Sequence, residues 1–133
     1  MRIQESAENY LETILVLRQR NGAVRSIDIA NELGFTKPSV SIAMKNLREN
    51  GYILVDDGGL ISLTDKGQAI AEMIYERHTL LSTWLVQLGV NERTAAEDAC
   101  RIEHVISAES FAAIKQHVQQ ARQDLHKSSK NGQ

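Results

Sequence analysis

The chain has 133 residues, 42% of them apolar and 5% aromatic, with a formal net charge of −2. That length suits one domain or two small lobes, with a core built from aliphatic helix packing. The single cysteine excludes an internal disulfide, and no apolar run reaches membrane-spanning length. The N-terminus Met1-Arg2-Ile3-Gln4-Glu5 carries no signal-peptide pattern, so the expectation is a cytoplasmic protein with no membrane association.

The distribution of charge weighs against nucleic acid. Residues 1–65 hold 7 Lys/Arg against 9 Asp/Glu, and the rest of the chain holds 8 of each. A DNA-binding half that is net acidic lacks the usual basic footprint. Bound divalent cations would partly remove that deficit.

In chain order, Ser6 to Arg20 carries Tyr10, Leu11, Ile14, Leu15 and Leu17 at helical spacing, with Ser6 in a capping position and Asn21-Gly22 as the stop. Ser26 to Leu33 reads as a short helix ended by Gly34. Thr36 caps the next helix, which tolerates Pro38 in its first turn and turns Val40, Ala43, Met44 and Leu47 inward. Tyr52 to Val55 and Leu60 to Leu63 flank Asp56-Asp57-Gly58-Gly59, the pattern of a β-hairpin. Helix, short helix, turn, helix and hairpin make a winged helix-turn-helix over residues 1–65.

From Thr64 the pattern is helical throughout. A long helix to Leu88 carries Ile70, Met73, Ile74, Leu80, Leu81, Trp84 and Leu85, and Gly89-Val90-Asn91 breaks it. A second helix spans about Glu92 to Ile106. Ser107 caps a third, with Phe111, Ile114, Val118 and Leu125 apolar. The fold class is therefore mainly α, an N-terminal winged helix-turn-helix followed by an all-helical domain over 66–126. Residues 127–133 are polar and are expected to form a disordered tail.

The recognition helix, Thr36 to Asn50, leaves Thr36, Lys37, Pro38, Ser39, Ser41, Ile42, Lys45 and Asn46 for DNA. Small hydroxyls and apolar groups suit close approach to phosphates and thymine methyls. Lys37, Lys45 and Arg48 are the strong phosphate contacts. The rival reading is an ordinary solvated helix.

Cys100, Glu103 and His104 stand at i, i+3 and i+4, so a thiol, a carboxylate and an imidazole share one helix face. That donor set suits a transition metal. The plainer alternative is a surface helix with Cys100 as a small core filler and the other two in ordinary polar contacts. His78 favours the metal, because it sits in an apolar stretch where an unpartnered imidazole is costly. Glu12 would join only if its helix docks on the C-terminal lobe. Glu97 and Asp98 are out of phase, and His117 and His126 read as surface residues.

Several segments together carry a resemblance: Ala7-Glu8-Asn9-Tyr10-Leu11, Thr36-Lys37-Pro38-Ser39-Val40-Ser41, Leu63-Thr64-Asp65-Lys66-Gly67, Glu76-Arg77-His78, and Ala99 to Ser107. The chain resembles the diphtheria-toxin-repressor and manganese-transport-regulator (DtxR/MntR) family, in its short two-domain form without the SH3-like third domain. The resemblance implies a homodimer joined through the C-terminal helices, which binds a palindromic double-stranded DNA operator when activated by Fe²⁺ or Mn²⁺. Co²⁺, Ni²⁺, Zn²⁺ and Cd²⁺ are possible substitutes. It also implies metal ligands at Asn9, Glu12, His78, Cys100, Glu103 and His104. Two departures stand out. Asn9 offers a weak neutral oxygen where the family has Asp or Met, and the set mixes a manganese-type Glu12 with an iron-type Cys100. The rival functions are a winged-helix repressor answering to an organic ligand or partner, with the Cys/His face structural, and a small metalloenzyme. No His-Glu-x-x-His pattern supports the enzyme.

Overall fold

The computed structural model describes residues 5–131, with side chains described through residue 124. Its elements run α1 (Glu5–Asn21), α2 (Ser26–Leu33), α3 (Lys37–Glu49), β1 (Ile53–Val55), β2 (Ile61–Leu63), α4 (Asp65–Gln87), α5 (Glu92–Val105) and α6 (Ala108–Asn131). This is the winged helix-turn-helix followed by an all-helical segment that the sequence predicts. Two compact units divide the chain, Met1–Glu76 and Arg77–Gln133, with the boundary inside α4.

The first unit closes around Leu11, Ile14, Val24, Ile29, Val40 and Ile53, each no more than 1% exposed. Both ends of the helix-turn-helix are set locally. Gly34 adopts φ 69° and its N–H bonds the Ala30 carbonyl, an αL cap that glycine makes without steric cost. The Thr36 side chain then accepts from the Ser39 N–H, which opens α3 with Pro38 in its first turn. Val40, Met44 and Leu47 are buried.

The wing pairs Ile53 with Leu63, Leu54 with Ser62 and Val55 with Ile61, antiparallel. The Asp56 carboxylate accepts from the N–H groups of Gly58 and Leu60, which folds the turn. Arg25 reaches across to the Gly58 carbonyl.

The Leu63-Thr64-Asp65-Lys66-Gly67 segment joins wing to α4. Thr64 donates its hydroxyl to the Gly51 carbonyl and accepts the Gly67 N–H, so it caps α4 and ties it to the end of α3. Lys66 lies over the Tyr52 ring, 4.3 Å from its centroid. Gly67 is required by close approach, because a Cβ there would fall 2.0 Å from the Tyr52 carbonyl oxygen.

The second unit packs Leu81, Ala99 and Phe111 with Leu80, Trp84, Ile102, Ile106 and Ile114. Asn91 caps α5 through the Arg93 N–H, and the Ser107 hydroxyl accepts the Ser110 N–H at the start of α6. Three expectations change in detail. Ser6 lies inside α1, which is already helical at Glu5. The long helix ends at Gln87 rather than Leu88, and the apolar Met73 and Leu88 are exposed. α6 continues through Asn131, across most of the segment 127–133 expected to be disordered. The side chains of Leu125 and His126 lie outside the described residues, as do residues 132 and 133.

Candidate metal centre and recognition helix

The centre is built where α4 and α5 meet in the second unit. Glu103 is fully buried, and the His104 side chain is only 2% exposed. His78 on α4 brings Nδ1 to 2.9 Å from Glu103 Oε2. With its proton on Nδ1 the imidazole would donate to this carboxylate and present Nε2 as the lone-pair nitrogen. That is the tautomer a metal-ligating imidazole uses when a carboxylate orients it.

The other oxygen, Glu103 Oε1, is buried and has no hydrogen-bond partner. His104 Nε2 lies 3.3 Å from it without hydrogen-bond geometry. Donor atoms of Cys100, Glu103 and His104 all lie within 4.8 Å of one another. Cys100 is exposed, which removes the alternative in which it fills the core. The burial of Glu103 likewise removes the plain surface helix.

Leaving a buried donor or acceptor unsatisfied costs about 1–3 kcal/mol, and more for a charged group. A cation offsets that cost, and the thiol, carboxylate and imidazole here are donors suited to a transition ion. The residues present fit a divalent metal.

Arg77 is a member of the site that periodicity does not reveal. Its Nη1 donates to the main-chain carbonyls of Glu103 (3.0 Å) and Ile106 (3.1 Å), the last turn of α5. Its guanidinium also lies over the Phe111 ring, 5.5 Å from the centroid. Arg77 thus holds the main chain of Glu103 while its neighbour His78 holds the side chain. The local signal was only an arginine directly before the histidine; the partners are 26 and 29 residues away.

The structure therefore groups Cys100, Glu103 and His104, and sets His78 on the Glu103 carboxylate. Asn9 and Glu12 stand half-buried on α1, in the first unit. The Asn9 carbonyl accepts the Thr13 hydroxyl at 2.8 Å. His117 on α6 is exposed.

On α3 every residue singled out for DNA is exposed, namely Thr36, Lys37, Pro38, Ser39, Ser41, Ile42, Lys45 and Asn46. The face opposite Val40, Met44 and Leu47 is thus exposed. No helix among the described residues is long and apolar enough to cross a membrane.

Comparison with known proteins matches the metal-binding and dimerisation domain of iron-dependent repressors to residues 64–131. Their N-terminal DNA-binding domain matches residues 2–59. An uncharacterised HTH-type transcriptional regulator of Methanocaldococcus jannaschii is 33% identical over 115 residues, covering 85% of this chain and 92% of that protein. The transcriptional regulator MntR of Salmonella typhimurium is 32% identical over 117 residues, covering 88% of this chain and 74% of MntR. The structure of the manganese regulator SloR superposes with a TM-score of 0.76 at 27% identity, over 90% of this chain and 55% of SloR. The chain thus spans about half the length of that solved relative.

Proposed function

The chain belongs to the iron-dependent-repressor (DtxR/MntR) family of metal-dependent transcriptional regulators, and from that premise we propose a homodimeric repressor that reads a palindromic operator through α3 and is activated by Fe²⁺ or Mn²⁺. The observation that carries the metal reading is Glu103, a fully buried carboxylate with one oxygen bonded to His78 and the other left without a hydrogen bond. A divalent cation would supply positive charge where this carboxylate meets the Cys100 sulfur and the His104 imidazole, with His78 on the other carboxylate oxygen. His78, Cys100, Glu103 and His104 are the ligands this placement supports. Asn9 and Glu12 enter as further ligands on the family resemblance.

The metal preference is left between iron and manganese by the donors themselves. The Cys100 thiolate is soft and favours Fe²⁺, Co²⁺ or Zn²⁺, whereas the hard carboxylates of Glu12 and Glu103 favour Mn²⁺. MntR and SloR are named for manganese, and the matching domains for iron. Metal acts on DNA affinity only through tighter binding to the DNA-competent state.

The test titrates the purified apo-protein with Mn²⁺, Fe²⁺, Co²⁺ and Zn²⁺, and reads operator binding, metal stoichiometry by equilibrium dialysis and mass by sedimentation. The expected result is a dimer whose operator affinity rises with Fe²⁺ or Mn²⁺. Operator binding that ignores every metal would overturn the reading.

A further inference from the structure

Resting on the reading of α3 as the DNA-reading helix, we propose that Ile42 determines sequence preference by packing on the 5-methyl group of a thymine in each half-site. A single exposed apolar side chain is ordinary on a protein surface. The surroundings of this one are not.

Ile42 is 64% exposed and lies, by helical phase, opposite the buried Val40, Met44 and Leu47, with Pro38 one turn before it and Lys45 one turn after. From Thr36 to Lys45 the helix holds no arginine, asparagine, glutamine or acid. Those side chains, together with lysine, make the bidentate or accepting contacts with base edges; here Lys37 and Lys45 are present and Asn46 follows directly. The hydroxyls of Thr36 and Ser39 are committed to each other at 2.8 Å, in the cap that opens the helix. Lys37 and Lys45 supply charge for phosphates on either side.

At the exposed centre of this stretch, between the two lysines, the side chain offered to a base edge is the apolar Ile42. In the major groove the distinctive apolar feature of an unmodified base pair is the thymine methyl. The chemistry of the helix and of the groove meet at that one group.

The experiment selects a preferred duplex from a random pool with the Mn²⁺-loaded full chain, then replaces each thymine in turn by deoxyuridine, which lacks only the methyl. At one position per half-site the parent protein should lose about fourfold in affinity, the scale of one buried methyl group. Ile42→Ala should bind the thymine and uracil duplexes equally at that position. Ile42→Val, which keeps a branched apolar contact, should retain the difference. Circular dichroism checks that the variants fold. Specific, salt-dependent binding with no uracil-sensitive position would overturn this inference and leave the repressor reading standing. So would a uracil effect that persists in Ile42→Ala. A chain that selects no duplex with or without metal would overturn both.

Discussion

Thr13 in the first unit and Glu103 in the second are both buried polar residues, and they are treated very differently. In the first unit the Thr13 hydroxyl donates to the Asn9 carbonyl one turn back, so the helix itself satisfies it. In the second unit Glu103 is fully buried, with one oxygen bonded to His78 and the other 3.3 Å from His104 Nε2 but without a hydrogen bond. A buried hydroxyl closed within its own helix is an inexpensive part of a packed frame. A half-satisfied buried carboxylate weakens the fold that contains it. The first unit is arranged to hold a shape, and the second holds a polar cluster that a cation would complete.

The largest expected effect breaks that contrast directly. Glu103→Met should abolish metal-dependent DNA binding, and metal should no longer raise the melting temperature. Yet the apo-protein should be as stable as the parent, or more stable by about 1–4 kcal/mol, because an apolar side chain of similar volume replaces a partly unsatisfied charge. His104→Ala should likewise abolish the metal response. Calorimetry with and without Mn²⁺ checks both. If Glu103→Met destabilised the apo-protein by several kcal/mol, the carboxylate would be a structural element and not a reserved ligand.

The frame of the first unit is tested next. Gly67→Ala should destabilise the chain by about 1–3 kcal/mol, the usual range for overpacking, because its Cβ meets the Tyr52 carbonyl oxygen. A shifted urea midpoint measures it. An unchanged midpoint would mean that the wing and α4 separate without cost.

Much of this arrangement is legible in the sequence, and the boundary of legibility is physical. Local rules place α3, since Thr36, Pro38 and the spacing of Val40, Met44 and Leu47 each act within a few residues. The same holds for the wing turn at Asp56 and for Cys100, Glu103 and His104 on one face of α5. What periodicity misses depends on contacts between distant segments. Gly67 is only a poor helix former until the Tyr52 carbonyl is seen against it. Arg77 is an unremarked charge until its guanidinium is found on the carbonyls that end α5. Helical phase puts Glu103 on the candidate metal face but does not show that it is fully buried, because carboxylates are almost never so without a partner. The family motifs flag these positions without giving their reasons.

A smaller effect sharpens the second unit. Cys100→Glu should move the metal ranking toward Mn²⁺ by on the order of tenfold, the scale on which nearby ligand-shell changes tune affinity. The cause is exchange of a soft thiolate for a hard carboxylate oxygen. Competition dialysis between Mn²⁺ and Co²⁺ measures it. An unchanged ranking would remove Cys100 from the ligand set and leave His78, Glu103 and His104.

The smallest effect concerns how an acidic reader holds an acidic polymer. Residues 1–65 carry more Asp/Glu than Lys/Arg, so phosphate contact must come from a few placed cations rather than a diffuse field. Lys37 and Lys45 are the exposed cations nearest the start and middle of α3. Each phosphate contact contributes about 0.9 to the slope of log affinity against log salt. Lys37→Ala or Lys45→Ala should therefore weaken binding across sequences and flatten that slope, leaving metal affinity unchanged. The size of the change also reports assembly. A bound monomer loses one contact per substitution, whereas a homodimer loses two and its slope falls by about 1.8. Slopes that match the parent in both variants would show that α3 does not face the phosphates.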